Sequence, residues 1–375
     1  DQRRDTHWYR SEVDSYLFQK AVGSGVQARQ SEKVTAIKLA DDGRSRIQLE
    51  SGAFVEAELI VDASGAAAVS AALLGTPAIT SRMRTSTCAA FAHFRDVKSF
   101  SEVFNRRHND SRADDPFDAD DAAQHHLIHD GWVWMLRMNN GITSVGVTAP
   151  IGGKGRLAGT AMAQKVETEA VRVLSNRFES FPMLHQVMCD SEIVAPASGI
   201  LRITRVQRFF DPLVAPNCVM LPTASVTIDP LHSTGIAHAM AGVSRIAEWI
   251  LQGQSAVVLQ DYRNAVLDEA MLIDRMVAMA YWSMPSFQRF CAACMVYFSA
   301  AIGCEERIAG GDVPTVFWQA GDDRFVDAVR RCDDVIRSSQ DDQSVISTVR
   351  EIIAPWNSVG LFESPANRYA YTATK

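Results

Sequence analysis

The stretch that decides the fold is Leu59-Ile60-Val61-Asp62-Ala63-Ser64-Gly65, a short apolar run that ends in a carboxylate and a turn of small residues. A continuous apolar run predicts a strand buried on both faces. A carboxylate at the carboxyl end of such a strand suits a ligand crevice in an open α/β sheet. An ordinary turn also uses Asp and Gly, so this stretch indicates a binding site only in combination with other motifs.

Outward from this stretch, the local patterns predict a mixed α/β chain. Apolar residues at helical spacing predict a helix over 11–22. The Asn139-Asn140-Gly141 turn between two apolar runs predicts a hairpin. Further strands are predicted over 26–29, 34–39, 47–49, 53–61, 85–94, 132–138 and 142–148, and further helices over 157–178, over 234–251 and through most of the chain to 350. Tight turns join the strands 34–39, 47–49 and 53–61, which predicts an antiparallel meander.

The composition excludes several classes of protein. The 375 residues are 47% hydrophobic and 22% charged, which is typical of a folded globular chain. The net charge of −7 argues against a nucleic-acid or anionic-membrane surface. The apolar run 290–303 is shorter than the roughly 20 residues of a membrane-spanning helix, so we expect no membrane partner. Seven widely spaced cysteines do not form a disulfide framework, and we expect a cytoplasmic protein.

Two further motifs contain residues suited to ligand binding. The run 228–236 contains Asp229-Pro230 and then Ser233-Thr234-Gly235, just before a helix of small residues. Ser233 or Thr234 could cap that helix, and its first backbone N–H groups would attract an anion or an electron-rich ring edge. In Gly131-Trp132-Val133-Trp134, strand alternation puts both tryptophans on one face, which is either a core face or a site wall.

Three other features favour structural roles. Cys291-Ala292-Ala293-Cys294 has redox spacing but lies in an apolar helical stretch, which favours structural cysteines. His125, His126 and His129 have no matching carboxylate or cysteine set, so we expect no metal site. The acidic run 114–121 is typical of a solvated loop.

Taken in order, the motifs resemble those of the flavin-dependent halogenases, within the larger family of FAD-dependent monooxygenases. The segments that carry the resemblance are Arg10-Ser11-Glu12-Val13-Asp14, Val61–Gly65, Gly131–Leu136, Asp229–Ile236, and Ile353–Asn357 with Gly360-Leu361. The resemblance implies an α/β fold with an incomplete FAD domain of the glutathione-reductase type, a β-sheet substrate domain and a helical C-terminal region. The implied segments are 1–80 and 196–252 for the FAD domain, 81–195 for the substrate domain and 253–375 for the helical region.

The resemblance also implies a chemistry. FAD, reduced by a separate flavin reductase, would react with O₂ and oxidise chloride or bromide to hypohalous acid, which halogenates a small electron-rich aromatic substrate. Trp132 and Trp134 would separate the flavin from the substrate, and the halide would lie at Ser233, Thr234 and Gly235. The residues implied to contact FAD are Arg10, Val34, Asp62, Gly65, Asp229, Pro230, Gly235 and Ile236.

The chain departs from the family pattern at several points. No Gly-x-Gly-x-x-Gly precedes Arg10, no lysine matches the active-site lysine of the family, and Pro222-Thr223 stands in place of a Gly-Asp pair. His232 replaces the glutamate that tryptophan-specific halogenases carry before Ser-Thr-Gly. Two alternatives therefore stay open: a hydroxylase or reductase of the same fold, and a non-catalytic relative that binds a substrate or partner. The missing glycine-rich segment also predicts that these 375 residues bind FAD poorly or not at all.

Overall fold

The computed structural model describes residues 4–40, 43–108, 117–129, 131–151, 160–211, 214–215, 217–253, 256–363 and 372–374. The chain forms two compact units, the first from residues 1–28, 86–205 and 368–375 and the second from 29–85 and 206–367. This division differs from the predicted segments. Residues 1–28, predicted as part of the FAD domain, belong to the unit of the predicted substrate domain. Residues 253–367 of the predicted helical region belong to the second unit, together with 29–80 and 206–252 of the predicted FAD segments.

The strands are, in chain order, β1 (Arg4–Thr6), β2 (Val34–Lys38), β3 (Ser45–Leu49), β4 (Phe54–Ala57), β5 (Ile60–Asp62), β6 (Thr87–Arg95), β7 (Gln124–Ile128), β8 (Gly131–Arg137), β9 (Thr143–Pro150), β10 (Glu192–Ala195), β11 (Leu201–Ile203), β12 (Arg208–Phe209), β13 (Val214–Ala215), β14 (Cys218–Met220), β15 (Val226–Thr227) and β16 (Thr372–Thr374). The helices are α1 (Arg10–Gly23), α2 (Val69–Leu74), α3 (Phe100–His108), α4 (Thr160–Ser175), α5 (Pro182–Met188), α6 (Pro222–Ser225), α7 (Thr234–Leu251), α8 (Ala256–Ser283), α9 (Phe287–Ala309), α10 (Asp323–Ile336) and α11 (Asp342–Ile353).

The first unit is built on an antiparallel sheet in the order β10-β6-β9-β8-β7, with β11 also paired to β6. Alternate residues of its central strands, such as Val133 and Met135, join residues of α3, α4 and α5 in one hydrophobic core. The residues between them point to the opposite face of the sheet. The predicted hairpin is confirmed, because β8 and β9 pair from Arg137↔Thr143 across the Asn-Gly turn.

The second unit contains the predicted meander, which forms the antiparallel sheet β2-β3-β4. The single strand predicted over 53–61 is wrong: β4 pairs with β3, whereas β5 pairs in parallel with β14 in another sheet. The burial expected on both faces of β5 is also wrong, since Ile60 is buried but Val61 is 40% exposed. The strand predicted over 26–29 is absent, because the described residues 24–33 form no strand and Val26 stays exposed.

The C-terminal part of the second unit is helical, as predicted. The apolar run expected to be too short for a membrane belongs to α9, whose 23 residues are long and apolar enough to cross one by length and composition. Half of its most apolar window is buried within the structure. A buried core helix of a soluble protein passes the same test of length and composition, and α9 packs against α8, α10 and α11.

Candidate functional site

The carboxylate of Asp62, at the end of β5, is hydrogen-bonded to residues of the turn that follows it. It is 6% exposed and accepts hydrogen bonds from Ser64 N at 2.8 Å, Ser70 N at 2.7 Å and Ser70 Oγ at 2.5 Å. Burial acts to raise the pKa of Asp62, but the hydrogen bonds from Ser64 and Ser70 outweigh it and lower the pKa. Asp62 therefore fixes the shape of the turn that leads into Gly65, whose φ is +58°.

Parallel pairing brings the ends of β5 and β14 to the same edge of their sheet. Asp62 lies opposite Met220, and the next amide, Leu221 N, donates to Asp62 O at 2.9 Å. The short helix α6 follows and contacts the turn Gly65–Ala67. Helix α7 packs on α6 so closely that a Cβ on Gly242 would lie 2.3 Å from Pro222 Cδ. Pro222-Thr223, the departure from the Gly-Asp pair, is thus part of the contact between α6 and α7.

The second motif forms a tight turn held by buried polar contacts. Asp229 is 6% exposed, and its Oδ1 accepts from Leu231 N at 3.0 Å, which caps the 3₁₀ turn Pro230–His232. Gln207 Nε2 donates to Ile228 O at 2.7 Å, and Tyr281 Oη donates to Asp229 Oδ1 at 3.1 Å. The sequence patterns did not single out Gln207 or Tyr281, because each meets the turn across more than 20 residues of chain.

The first turn of α7 presents backbone N–H groups at an exposed surface. Ser233 has a left-handed φ of +53°, and its side chain makes no capping hydrogen bond within the described part of the chain, so the cap predicted for Ser233 is wrong. Its left-handed backbone is not the extended conformation from which a cap side chain reaches the first turn. Thr234 is buried, but Gly235 is exposed, with no described residue beyond its neighbours in the helix within 4 Å of the position that a Cβ would take, and Ile236 is 42% exposed. An uncapped first turn of an 18-residue helix attracts anions.

The two tryptophans lie on the same face of β8, as alternation predicts. Their ring centroids are 5.8 Å apart, on the side opposite to the core residues Val133 and Met135. Trp132 is 1% exposed and stacks on His125 with a centroid distance of 4.8 Å. Trp134 is only partly buried, and its Nε1 donates to Ser144 Oγ at 3.3 Å. Trp134 is therefore the member of the pair that reaches the surface of this face.

The absence of a side chain at Gly146 leaves room for the Trp134 ring. Gly146 pairs with Trp134 on one side and Phe91 on the other, and a Cβ on Gly146 would lie 2.1 Å from Trp134 Cζ2. The indole therefore crosses over β9 and contacts Phe91, with ring centroids 5.9 Å apart. Phe91 and Gly146 were not predicted as site residues from the sequence. Their only signal is the register between three strands, which local patterns do not give.

Comparison with known proteins identifies the family. The profile of the tryptophan halogenase family matches residues 6–286, three quarters of the chain. The chain belongs to this family. It is 27% identical over 235 residues to the tetracycline 7-halogenase of Kitasatospora aureofaciens, covering 62% of this chain and 40% of that protein. It is 22% identical over 248 residues to the monodechloroaminopyrrolnitrin halogenase PrnC of Pseudomonas fluorescens, covering 66% of this chain and 41% of that protein. The chain thus spans about two fifths of the length of these relatives.

Solved halogenases share the fold. The structure of halogenase PltM in complex with phloroglucinol and FAD has a TM-score of 0.79 at 20% identity, over 98% of this chain and 77% of that one. The flavin-dependent brominase Bmp2 has a TM-score of 0.56 at 16% identity, over 93% of this chain and 75% of that one. The predicted fold class, the α/β fold of FAD-dependent halogenases, is confirmed.

The family's predicted site residues fall into two groups in this chain. Asp62, Gly65, the turn 229–236 and Val34 lie in the second unit, whereas Arg10 and the two tryptophans lie in the first. Val34 is half-buried in β2. Arg10 starts α1 and forms an exposed ion pair with Asp14, with Nε–Oδ1 at 2.7 Å.

Burial changes the pKa values of two of the cysteine and histidine candidates. Burial raises the pKa of the Cys294 thiol to about 12, which disfavours the reactive thiolate. Burial lowers the pKa of His126 to about 4, and His126 Nε2 lies 3.0 Å from Gln124 Oε1. Among the residues that the structure describes, no group of His, Cys, Asp and Glu could hold a metal ion.

The acidic run 114–121 is more than a solvated loop. Residues 114–116 lie outside the described residues, but Asp120 is 4% exposed and holds the start of α3. Its carboxylate accepts from Ser99 Oγ at 2.6 Å and from Phe100 N at 3.0 Å. The solvated-loop prediction is wrong for this residue, because the carboxylate satisfies N–H groups at a helix start.

Proposed function

We propose that the protein is a flavin-dependent halogenase that uses FAD, a halide and reduced flavin from a separate reductase to halogenate a small electron-rich aromatic ring. The observation that carries this proposal is the uncapped, exposed first turn of α7, which follows the Asp229 turn in a chain of the tryptophan halogenase family. The helix dipole and the N–H groups at the start of such a helix favour an anion beside Ser233, Thr234 and Gly235. We also propose a cytoplasmic location, since none of the seven cysteines forms a disulfide and all lie in the described part of the chain.

The residues around α7 fit a flavin ring in part. No described residue beyond its neighbours in the helix lies within 4 Å of the position that a Cβ on Gly235 would take, and Ile236 is exposed, so a flat ring can approach the backbone on that side. The Asp62 carboxylate already accepts three hydrogen bonds in its own turn. This motif would therefore contact FAD through its backbone and Gly65 rather than through a free carboxylate. Asp229 and Pro230, which begin this turn, would contact FAD on the resemblance alone, as would Arg10 and Val34. Bound and reduced, FAD would supply the electrons that activate O₂ for halide oxidation.

The protein's own contribution to halogenation would be to hold the halide and to exclude the substrate from the flavin. Thr234 and Gly235 N–H groups at the positive end of α7 would hold the halide without a neutralising cation. Trp134 and Phe91 form an aromatic surface on their sheet face that suits an electron-rich ring. The chemistry at the ring needs only an electrophilic halogen, so binding and orientation are the main tasks of these residues.

A hydroxylase or reductase of the same fold is the second candidate. The observation that favours it is the burial of Trp132, which is 1% exposed and stacked on His125. A tryptophan in that position packs the sheet, and only Trp134 then remains to separate two bound molecules. A non-catalytic relative is the third candidate, favoured by Pro222-Thr223 in place of the family's Gly-Asp pair.

The test uses the protein expressed from its complete reading frame, with FAD, a flavin reductase, O₂, sodium bromide and a set of phenols, pyrroles and indoles. Mass spectrometry distinguishes a brominated product, with its paired isotope peaks, from a hydroxylated product. Bromination that depends on bromide and reduced flavin is the expected result. Hydroxylation would support the second candidate, and flavin binding without any product would support the third.

A matched pair of variants locates the halide site. Gly235→Pro removes one N–H in the first helical turn, where proline is tolerated, and Gly235→Ala keeps that N–H. We expect the KM for bromide to rise at least about fivefold in Gly235→Pro, as for the loss of one hydrogen bond, and to change little in Gly235→Ala. Equal bromide KM values in the two variants would exclude this amide from the halide site.

A further inference from the structure

We propose that the helical hairpin α8–α9 positions the turn before α7 and thereby sets the halide affinity of its first-turn amides. Tyr281 of α8 holds the beginning of the turn, and Tyr297 of α9 holds its end. The inference rests on the proposed function for the identity of the ligand, but its geometric part concerns the turn 229–233 alone. Nothing in the sequence patterns assigns a role in the site to the helical region.

Tyr297 contacts His232 in two ways. The two rings stack with centroids 4.2 Å apart and an angle of 10° between their planes. Tyr297 Oη also donates to His232 O at 3.3 Å. The tyrosine is itself held in place, since it is 6% exposed and its Oη accepts from Trp318 Nε1 at 3.4 Å. His232 is therefore fixed through both its side chain and its carbonyl group.

Tyr281 acts at the other end of the turn. Its Oη lies 3.1 Å from Asp229 Oδ1 and 3.2 Å from Asp229 Oδ2. The same carboxylate caps the 3₁₀ turn through Leu231 N. A hydrogen bond from a neutral donor orients a carboxylate without neutralising it. The two tyrosines are only 16 positions apart, and the short connection 284–286 joins their helices into an antiparallel hairpin.

Fixing the His232 carbonyl has a consequence at Ser233. The peptide group is planar, so a hydrogen bond to the His232 carbonyl oxygen also fixes the orientation of the peptide bond that leads to the Ser233 nitrogen and Cα. Ser233 adopts the left-handed conformation, which residues other than glycine rarely favour, and it gets no help from a side-chain cap. Its N–H is already bound to Pro230 O at 2.9 Å. The direction of the next amides, Thr234 and Gly235, therefore depends on contacts that hold this turn from outside.

The test compares single hydroxyl deletions in the full chain. Tyr297→Phe keeps the ring stack and removes the bond to His232 O, and Tyr281→Phe removes the bond to Asp229. The matched control is Tyr262→Phe, also in α8, whose Oη donates to Met220 O at 2.7 Å and touches no residue of the turn. Sodium bromide is titrated into ¹⁵N-labelled protein, and the amide shifts of Thr234 and Gly235 give the Kd for bromide. Thermal unfolding checks that each variant is folded.

We expect the bromide Kd to rise about fivefold in Tyr297→Phe and in Tyr281→Phe, the equivalent of one neutral hydrogen bond, and to stay unchanged in Tyr262→Phe. The carbon shifts of Ser233 should change in Tyr297→Phe, because they report its left-handed backbone. With wild-type binding intact, unchanged Kd values in both turn variants would overturn the inference alone. If the wild-type amides do not respond to bromide, both the halide site of the proposed function and the affinity part of the inference are overturned.

Discussion

Replacing Gly146 by alanine tests how Trp134 is placed on the sheet. A Cβ at this position would lie 2.1 Å from Trp134 Cζ2 and 2.6 Å from Phe91 Cβ. Ordinary contacts of a Cβ begin near 3.4 Å, so the indole would have to retreat by at least 1.3 Å (3.4 − 2.1) and the strands by 0.8 Å (3.4 − 2.6). Overpacking of this kind costs about 1–3 kcal/mol. We expect Gly146→Ala to lower the free energy of unfolding by that amount.

The part of this destabilisation that is due to the indole is measured by repeating the substitution in a protein without the Trp134 ring. Trp134→Leu removes the ring that the added methyl group would meet, so only the contact with Phe91 Cβ remains. Denaturant unfolding of the four proteins gives the coupling energy, which we expect to be about 0.5–3 kcal/mol. Gly23→Ala is the control, because Gly23 lies in α1 with nothing within 4 Å of its Cβ position and should not destabilise the protein. If Gly146→Ala costs the same with and without the Trp134 ring, the reasoning is refuted.

Three further predictions follow from burial and charge. Trp132→Ala should lower the free energy of unfolding by about 3–5 kcal/mol because the ring is buried, whereas Trp134→Ala should lower it less and should reduce halogenation. Melting temperature and the halogen content of the product distinguish the two effects. Normal halogenation per folded Trp134→Ala molecule would show that this ring serves only packing. Burial acts to raise the pKa of Asp62, but hydrogen bonds lower it below its ordinary value. The ionised form of Asp62 therefore stabilises the fold at pH values above that ordinary pKa, and this stability is lost as pH falls through the folded-state pKa. Asp62→Asn should flatten the acid side of the curve of unfolding free energy against pH, and an unchanged curve would contradict this. Glu269→Gln should cost about 3–5 kcal/mol by denaturant unfolding, since Glu269 is fully buried and paired with Arg245, and a loss below about 1 kcal/mol would contradict that pairing.

The parts of the fold that local patterns predicted are those whose partners lie close in sequence. The helix over 11–22 is α1, the Asn-Gly turn joins β8 to β9, and the meander is the sheet β2-β3-β4. Each depends on periodicity or on turn residues within about a dozen positions. The break between β4 and β5 was not predictable in this way. It arises because β5 takes its partner, β14, from more than 150 residues further along the chain.

In the candidate site too, only the residues with a local sequence pattern could be predicted. The Asp229 and Ser233 motif could be found in the sequence because a Pro turn before a helix leaves a local signature. Tyr281 and Tyr297 could not, because they reach the turn from 52 and 65 residues away and leave no spacing pattern. The role of Asp120 was missed for a related reason: an acidic run looks the same whether it is solvated or caps a helix from a neighbouring loop.

Bromide located by anomalous scattering tests the central claim most directly. Crystals of the protein soaked in sodium bromide, measured at the bromine absorption edge, show where the anion binds without any assumption about turnover. We expect a bromide peak within hydrogen-bond distance of the Thr234 and Gly235 amides, at the start of α7, and its loss in Gly235→Pro. Well-occupied bromide peaks elsewhere on the protein, with none at this turn, would contradict the assignment of α7 as the halide site.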